Sequence, residues 1–183
     1  MGLFDLFSKK EKLPQMTDKI WKNQSGKYGG LLKLIEQYPD AVCISWFPET
    51  QSVFDQFLKS SVSKQIEIKM ARYIQPSQVE NKTVIFLEHY PLRIEEEKLI
   101  QFWNPNEIFV LSSLDEPLFE IFGGQRIVTM MENMGLKDDE QIQHAMITKS
   151  IKRAQEKLQE KVLTENTANS SKDWFIKNMG NKL

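Results

Sequence analysis

The sequence predicts an α/β protein: a small, mostly parallel four-stranded sheet flanked by helices and followed by a helical extension. Strand-length apolar or β-branched runs fall at residues 42–47, 66–71, 83–88 and 107–112. Two of them, Val42-Cys43-Ile44 and Val84-Ile85-Phe86-Leu87, are continuous rather than alternating, the pattern of strands covered on both faces of a parallel sheet. Segments of helical periodicity separate the runs, as βαβ units require.

Residues 1–12 place Leu3, Phe4, Leu6 and Phe7 ahead of Lys9, Lys10 and Lys12. On a short helix these residues form an apolar face with a cationic end, suited to weak membrane contact, and a frayed terminal arm accounts for them equally. Residues 1–28 are read as this arm and a linker. The α/β domain is assigned to residues 29–135. Its first helix, 29–38, is stopped by Pro39. Residues 49–61 carry Val53, Phe54, Phe57 and Leu58 at helical spacing, and residues 92–103 carry Ile94, Leu99, Ile100 and Trp103 with Glu95, Glu96 and Glu97 outward. The run beginning at Ile66 alternates apolar with charged and is expected at a sheet edge. Residues 117–134 read as one helix with Leu118, Ile121, Phe122, Ile127, Met130, Met131 and Met134 inward, and Gly135 is its natural C-cap.

Residues 136–163 form the extension. Within it, Ile147, Ile151, Ala154, Leu158 and Val162 make a stripe on a helix about 28 Å long. The stripe packs on the sheet domain or meets a protein partner, a second copy of the chain included. Residues 164–172 are polar and read as a linker. In the 164–183 tail, Trp174 and Phe175 either dock on another protein or fold back onto the core.

Composition bounds the function. A chain of 183 residues with 40% hydrophobic content supports one core with appended elements. Its 24 basic and 25 acidic residues nearly cancel, so nucleic acid is not an expected partner. Cys43 has no second cysteine to pair with and lies in an apolar run, which fits a reducing, cytoplasmic setting, peripheral to a membrane if residues 1–12 engage one.

No phosphate loop of the form G-x-x-x-x-G-K-[ST] is present. Gly26-Lys27-Tyr28-Gly29-Gly30 reads as a flexible turn, and Gly123-Gly124 as a bend or tight helix contact. His89 and His144 lack a second His or Cys at ligand spacing, so neither a metal nor any other cofactor is expected. Glu88 and His89 end the third run while Ser45 and Trp46 end the first. These four residues sketch a crevice at the carboxyl ends of parallel strands, where open α/β sheets bind ligands. A small-ligand or enzymatic site there is one reading; a surface or capping role for His89 is another.

From Leu111 onward the residues read LSSLDEPLFEIFGGQRIVTMMENMGLKDDEQIQHAMITKSIKRAQEKL. This stretch resembles SecA, the ATPase of preprotein translocation, where the second motor domain ends in a strand, an acidic turn and an F-G-x-x-R helix before an I-x-H loop enters the scaffold helix. Asp115, Phe122, Gly123, Arg126, Gly135, Glu140, Ile142, His144, Thr148, Ile151, Ala154 and Gln155 occupy matching positions. The resemblance implies a degenerate RecA-like half with a scaffold-helix extension, acting as a non-catalytic protein-binding module with translocase components among its partners. The region corresponding to the family's arginine-rich phosphate-sensing motif, residues 89–103, holds only Arg93, and the first motor domain has no counterpart. Loss of an arginine finger alone costs about 10³ or more in rate, so ATP hydrolysis is not expected.

Overall fold

The computed structural model describes residues 13–121, 123–133, 135, 137–142 and 145–180. The continuous apolar runs form strands buried along their whole length. Among the described residues the sheet has five strands, β1 (Met16–Trp21), β2 (Val42–Ser45), β3 (Ile68–Met70), β4 (Thr83–Phe86) and β5 (Glu107–Ser113). All neighbours are parallel in the order β1-β5-β4-β2-β3, which places β3 at an edge as its alternation predicts.

The sequence reading lacks β1, which falls in the segment assigned to arm and linker. Its residues Asp18 and Lys19 give it a polar appearance, yet both find tertiary partners: Asp18 meets His89, and the Lys19 ammonium sits 4.9 Å from the Phe109 ring centroid. Residues 26–30 are likewise no turn. They lie in α1 (Gln24–Gln37), where Gly30 lets the Trp21 ring approach so closely that a Cβ would lie 2.0 Å from Trp21 Cζ2.

Helices α1 and α2 (Pro48–Ser61) cover one face of the sheet through Leu31, Leu34, Phe54 and Leu58. The opposite face packs on α3 (Arg93–Ile100) and the following Trp103, against Val42, Ile44, Val84 and Phe86. Glu96 of α3 is buried rather than outward, because it is recruited by His89. The predicted 117–134 helix is divided into α4 (Pro117–Ile121) and α5 (Gly124–Asn133). Gly123 at φ +91° makes the break, and a Cβ on Gly124 would lie 2.7 Å from the Leu114 carbonyl oxygen.

A third core cluster joins α4, α6 (Ala145–Lys161) and α7 (Ser171–Met179) to the carboxyl ends of the strands. Ile147, Ile151, Ala154 and Leu158 lie in it at 5% exposure or less, as do Trp174 and Phe175 at 0% and 2%. Val162 is half-buried and Ile176 is exposed, while these residues of the stripe and the tail thus pack within the chain. Their apolar area is covered by Ile20, Leu118, Phe119 and Ile142. Residues 1–12, Phe122, Met134 and His144, each given a role in the sequence reading, lie outside the described residues.

Candidate functional site

The strand connections create a switch point. From β2 the chain passes to α2 on one face, and from the adjacent β4 it passes to α3 on the other. Ligands of open α/β sheets bind where neighbouring connections diverge in this way. Of the residues named from the sequence, Glu88 and His89 line one cavity there and Trp46 lines another, while Ser45 lines neither; Glu88, His89 and the Ser45 hydroxyl are engaged inside the protein.

The Glu88 carboxylate accepts hydrogen bonds from the backbone N–H of Trp46 at 3.1 Å and of Phe47 at 3.2 Å, and from the Thr50 hydroxyl at 2.6 Å. Phe47 is the N-cap of α2 and has no side-chain acceptor to offer. Glu88 therefore supplies the cap in its place, and the Glu49 N–H donates to the Asn169 carbonyl at 3.0 Å. The amides of Trp46, Phe47 and Glu49, at the end where a phosphate would be cradled, are thus taken up by the chain itself. Burial pushes the Glu88 carboxyl up to about 7, against the pull of Thr50 and Lys27. Lys27, 1% exposed, forms an ion pair with Glu116. Ser45 Oγ lies 3.3 Å from Met70 Sδ, and the Trp46 ring stacks on Phe86 at 5.6 Å between centroids.

His89 is held from both sides. Its Nδ1 is 2.8 Å from Glu96 Oε1, and its Nε2 is 3.1 Å from Asp18 Oδ1. Only the imidazolium has an N–H for each. Burial pulls its pKa down, but Glu96 and Asp18 together raise it to about 10. Asp18 is held below its ordinary value: burial opposes the shift, and the His89 bond and charge outweigh it. Glu96 Oε1 also accepts from the Tyr90 N–H at 2.9 Å. The Gln155 amide donates to Glu96 Oε2 at 2.9 Å and to the Tyr90 carbonyl at 2.8 Å. The network ties β1, the segment after β4, α3 and α6. A protonated histidine at 5% exposure, with both nitrogens engaged, has no lone pair to act as a base. Sequence reasoning missed Asp18, Glu96 and Gln155; a lone carboxylate in a strand-length run was the signal for the first, and nothing in the sequence distinguished Glu96 from the half-buried Glu95 and Glu97 beside it.

Residues 167–172 run across the switch point with a cavity on each side. One, of about 410 Å³, is lined by Glu88, His89, Tyr28, Asp115, Glu116 and Lys172 among others, carboxyl groups alongside two cationic side chains. The second, of about 420 Å³, is lined by Trp46, Phe47, Tyr90, Arg72 and Ala168 among others. Tyr90 and the Trp174 indole both donate to Glu165, which anchors this segment. Arg93 is bound by Glu97, 2.8 Å from its Nε. No helix among the described residues is long and apolar enough to cross a membrane.

Fold and site define a doubly wound parallel α/β protein whose switch point is filled from within. Part of the chain is similar to SecA. It is 52% identical over 48 residues to the protein translocase subunit SecA of Christiangramia forsetii, a match covering 26% of this chain and 4% of that protein. It is 40% identical over 57 residues to SecA of Chlorobium phaeobacteroides, covering 31% and 6%, and 53% identical over 47 residues to SecA of Psychrobacter cryohalolentis, covering 26% and 5%. The matches thus span a small fraction of these relatives. No family model matches the chain.

Proposed function

We propose that this chain is a non-catalytic, SecA-like protein-interaction module that works in protein export, with translocase components as its partners. The observation that carries the reading is the local SecA match, whose 48 residues equal the length of the stretch from Leu111 that carries the resemblance. That stretch contributes the end of β5, α4, α5 and most of α6, and through Leu114, Leu118, Ile147 and Ile151 it joins the sheet to the helices of the third core cluster. The absence of catalysis is supported by the switch point, where Glu88 takes up the Trp46 and Phe47 amides ahead of α2 and the Asn169 carbonyl takes up that of Glu49, so these donors are withdrawn from a nucleotide's phosphates. Partner contact takes place on the exposed surface, because Ile147, Ile151, Trp174 and Phe175 are interior.

The test is an affinity pull-down from native lysate with the intact chain, followed by mass spectrometry, alongside isothermal titration with magnesium ATP. Retention of translocase components and no heat with nucleotide are the expected results. Measurable ATP turnover, or a monomer that retains nothing, would sink the proposal.

A further inference from the structure

Residues 167–172 cross the switch point and leave a cavity on its α3 side. There Thr167 and Ala168 close a space of about 420 Å³ whose remaining lining comes from the residues that follow β2, β3 and β4 and from α3. Small-molecule sites occupy about 300–1,000 Å³, and in open α/β sheets they lie at the carboxyl ends of strands where connections diverge, as those of β2 and β4 do here. The apolar part of the lining is braced. The Tyr90 ring centroid is 4.8 Å from that of Trp46 and 5.6 Å from that of Phe47, and Trp46 is backed by Phe86. Each ring is thus held by its neighbours before any ligand arrives.

Charge selects the occupant. Arg72, in the turn after β3, is exposed and holds its guanidinium 4.8 Å from the Tyr73 ring centroid. No carboxylate among the described residues pairs with it, and the other two charges at the cavity, Lys98 and Glu95, compensate one another at 2.6 Å. The Trp46 indole N–H likewise has no acceptor among the described residues, whereas that of Trp174 is taken by Glu165. Two donors without acceptors, one of them charged, beside aromatic rings suit an anion carried on an apolar body. An organic cation would face the Arg72 charge uncompensated. A nucleotide's polyphosphate needs more donors than one guanidinium, and the amides ahead of α2 are withdrawn.

We propose that this cavity binds a small organic acid, with a ring-sized apolar body against Trp46, Phe47 and Tyr90 and a single carboxylate on Arg72 and the Trp46 indole N–H. The site goes beyond the interaction-module reading and does not depend on it.

The experiment is isothermal titration of the full chain with naphthalene-2-carboxylate and with the same ring system carrying a methylammonium group. The carboxylate should bind one to one with a dissociation constant of about 1 mM or tighter, and at least about ten-fold more tightly than the ammonium compound. Arg72→Gln should weaken it by at least about ten-fold through loss of a charge-assisted hydrogen bond, and Arg72→Lys, which keeps the charge, should lose less. Arg72 is exposed, so these variants keep the fold, and circular dichroism checks this. Ala168→Phe sets a ring into the cavity wall and should abolish binding; its fold is checked in the same way. Equal binding of the two compounds, no saturable binding of the carboxylate, or carboxylate binding unchanged by Arg72→Gln or by a folded Ala168→Phe overturns the inference.

Discussion

His89 Nδ1 lies 2.8 Å from Glu96 Oε1, a buried contact that fastens the segment after β4 to α3, with Gln155 of α6 joined to the same carboxylate. Glu96→Gln leaves His89 with Asp18 alone and removes the charged acceptor for Tyr90 and Gln155. The expected loss is about 3–5 kcal/mol of unfolding free energy, because half of a buried pair is left uncompensated. Urea denaturation measures it, and a loss no larger than that of an exposed substitution would refute the structural role of the pair.

The same contact predicts a pH dependence. His89 goes from 6.5 unfolded to about 10 folded, so its contribution is fully present below about 6.5 and lost as pH rises through about 10. Thermal unfolding of the parent chain should therefore move to lower temperature across that window. His89→Asn should start lower and flatten the profile. A variant curve parallel to the parent's would contradict the assignment of the imidazolium.

Glu88 adds a second window at lower pH. Its folded value of about 7 stands above 4.5, so the folded protein holds a proton that the unfolded chain releases, and stability falls as pH rises from about 4.5 through about 7. Glu88→Gln retains an acceptor oxygen for the Trp46 and Phe47 amides and removes the titration. The expected result is a flatter profile in this range with little change in the folded circular dichroism spectrum. Loss of the fold would instead show that the charge itself is required at the α2 cap.

Trp174 distinguishes a docking tail from a core element. With 0% exposure among Tyr90, Phe175 and the residues of α4, Trp174→Ala should cost about 3–5 kcal/mol. Ile176, two positions on and 62% exposed, serves as the control: Ile176→Ala should change stability by about 0.5 kcal/mol or less. Equal effects of the two substitutions in chemical denaturation would remove α7 from the core.

The fold was legible where burial is continuous. Val42, Ile44, Val84 and Ile85 lie in strands with packed layers on both sides, and short continuous apolar runs separated by helical periodicity are what such strands leave in a sequence. It was illegible where tertiary partners satisfy polar residues: Asp18 and Lys19 make β1 look like linker, and a nine-residue helix with a few large apolar side chains, α7, reads as a tail. The switch-point crevice was legible as a location, since the carboxyl ends of strands can be counted from the runs. That Glu88 would cap α2, and that Glu96 would turn inward to His89, depends on distances between segments far apart in sequence, which periodicity does not carry. The direction in which the α6 stripe would face was open for the same reason.

Gly29 and Gly30 make the last prediction, because neighbouring substitutions in one helix should have opposite signs. Ordinarily Gly→Ala inside a helix stabilises by up to about 1 kcal/mol. A Cβ on Gly29 meets nothing within 4 Å, so Gly29→Ala should show that gain. A Cβ on Gly30 would lie 2.0 Å from Cζ2 and 2.5 Å from Cε2 of Trp21, whose ring is 3% exposed and packed against the sheet. The ring cannot swing away without opening the core around Leu31 and Phe109, so Gly30→Ala should destabilise by about 1–3 kcal/mol net of the helical gain. Adding Trp21→Leu removes the colliding atoms, and a double-mutant cycle should then show the Gly30 substitution becoming neutral or favourable. If Gly30→Ala destabilises by the same amount with and without Trp21, the close approach of ring and helix is not what selects glycine there.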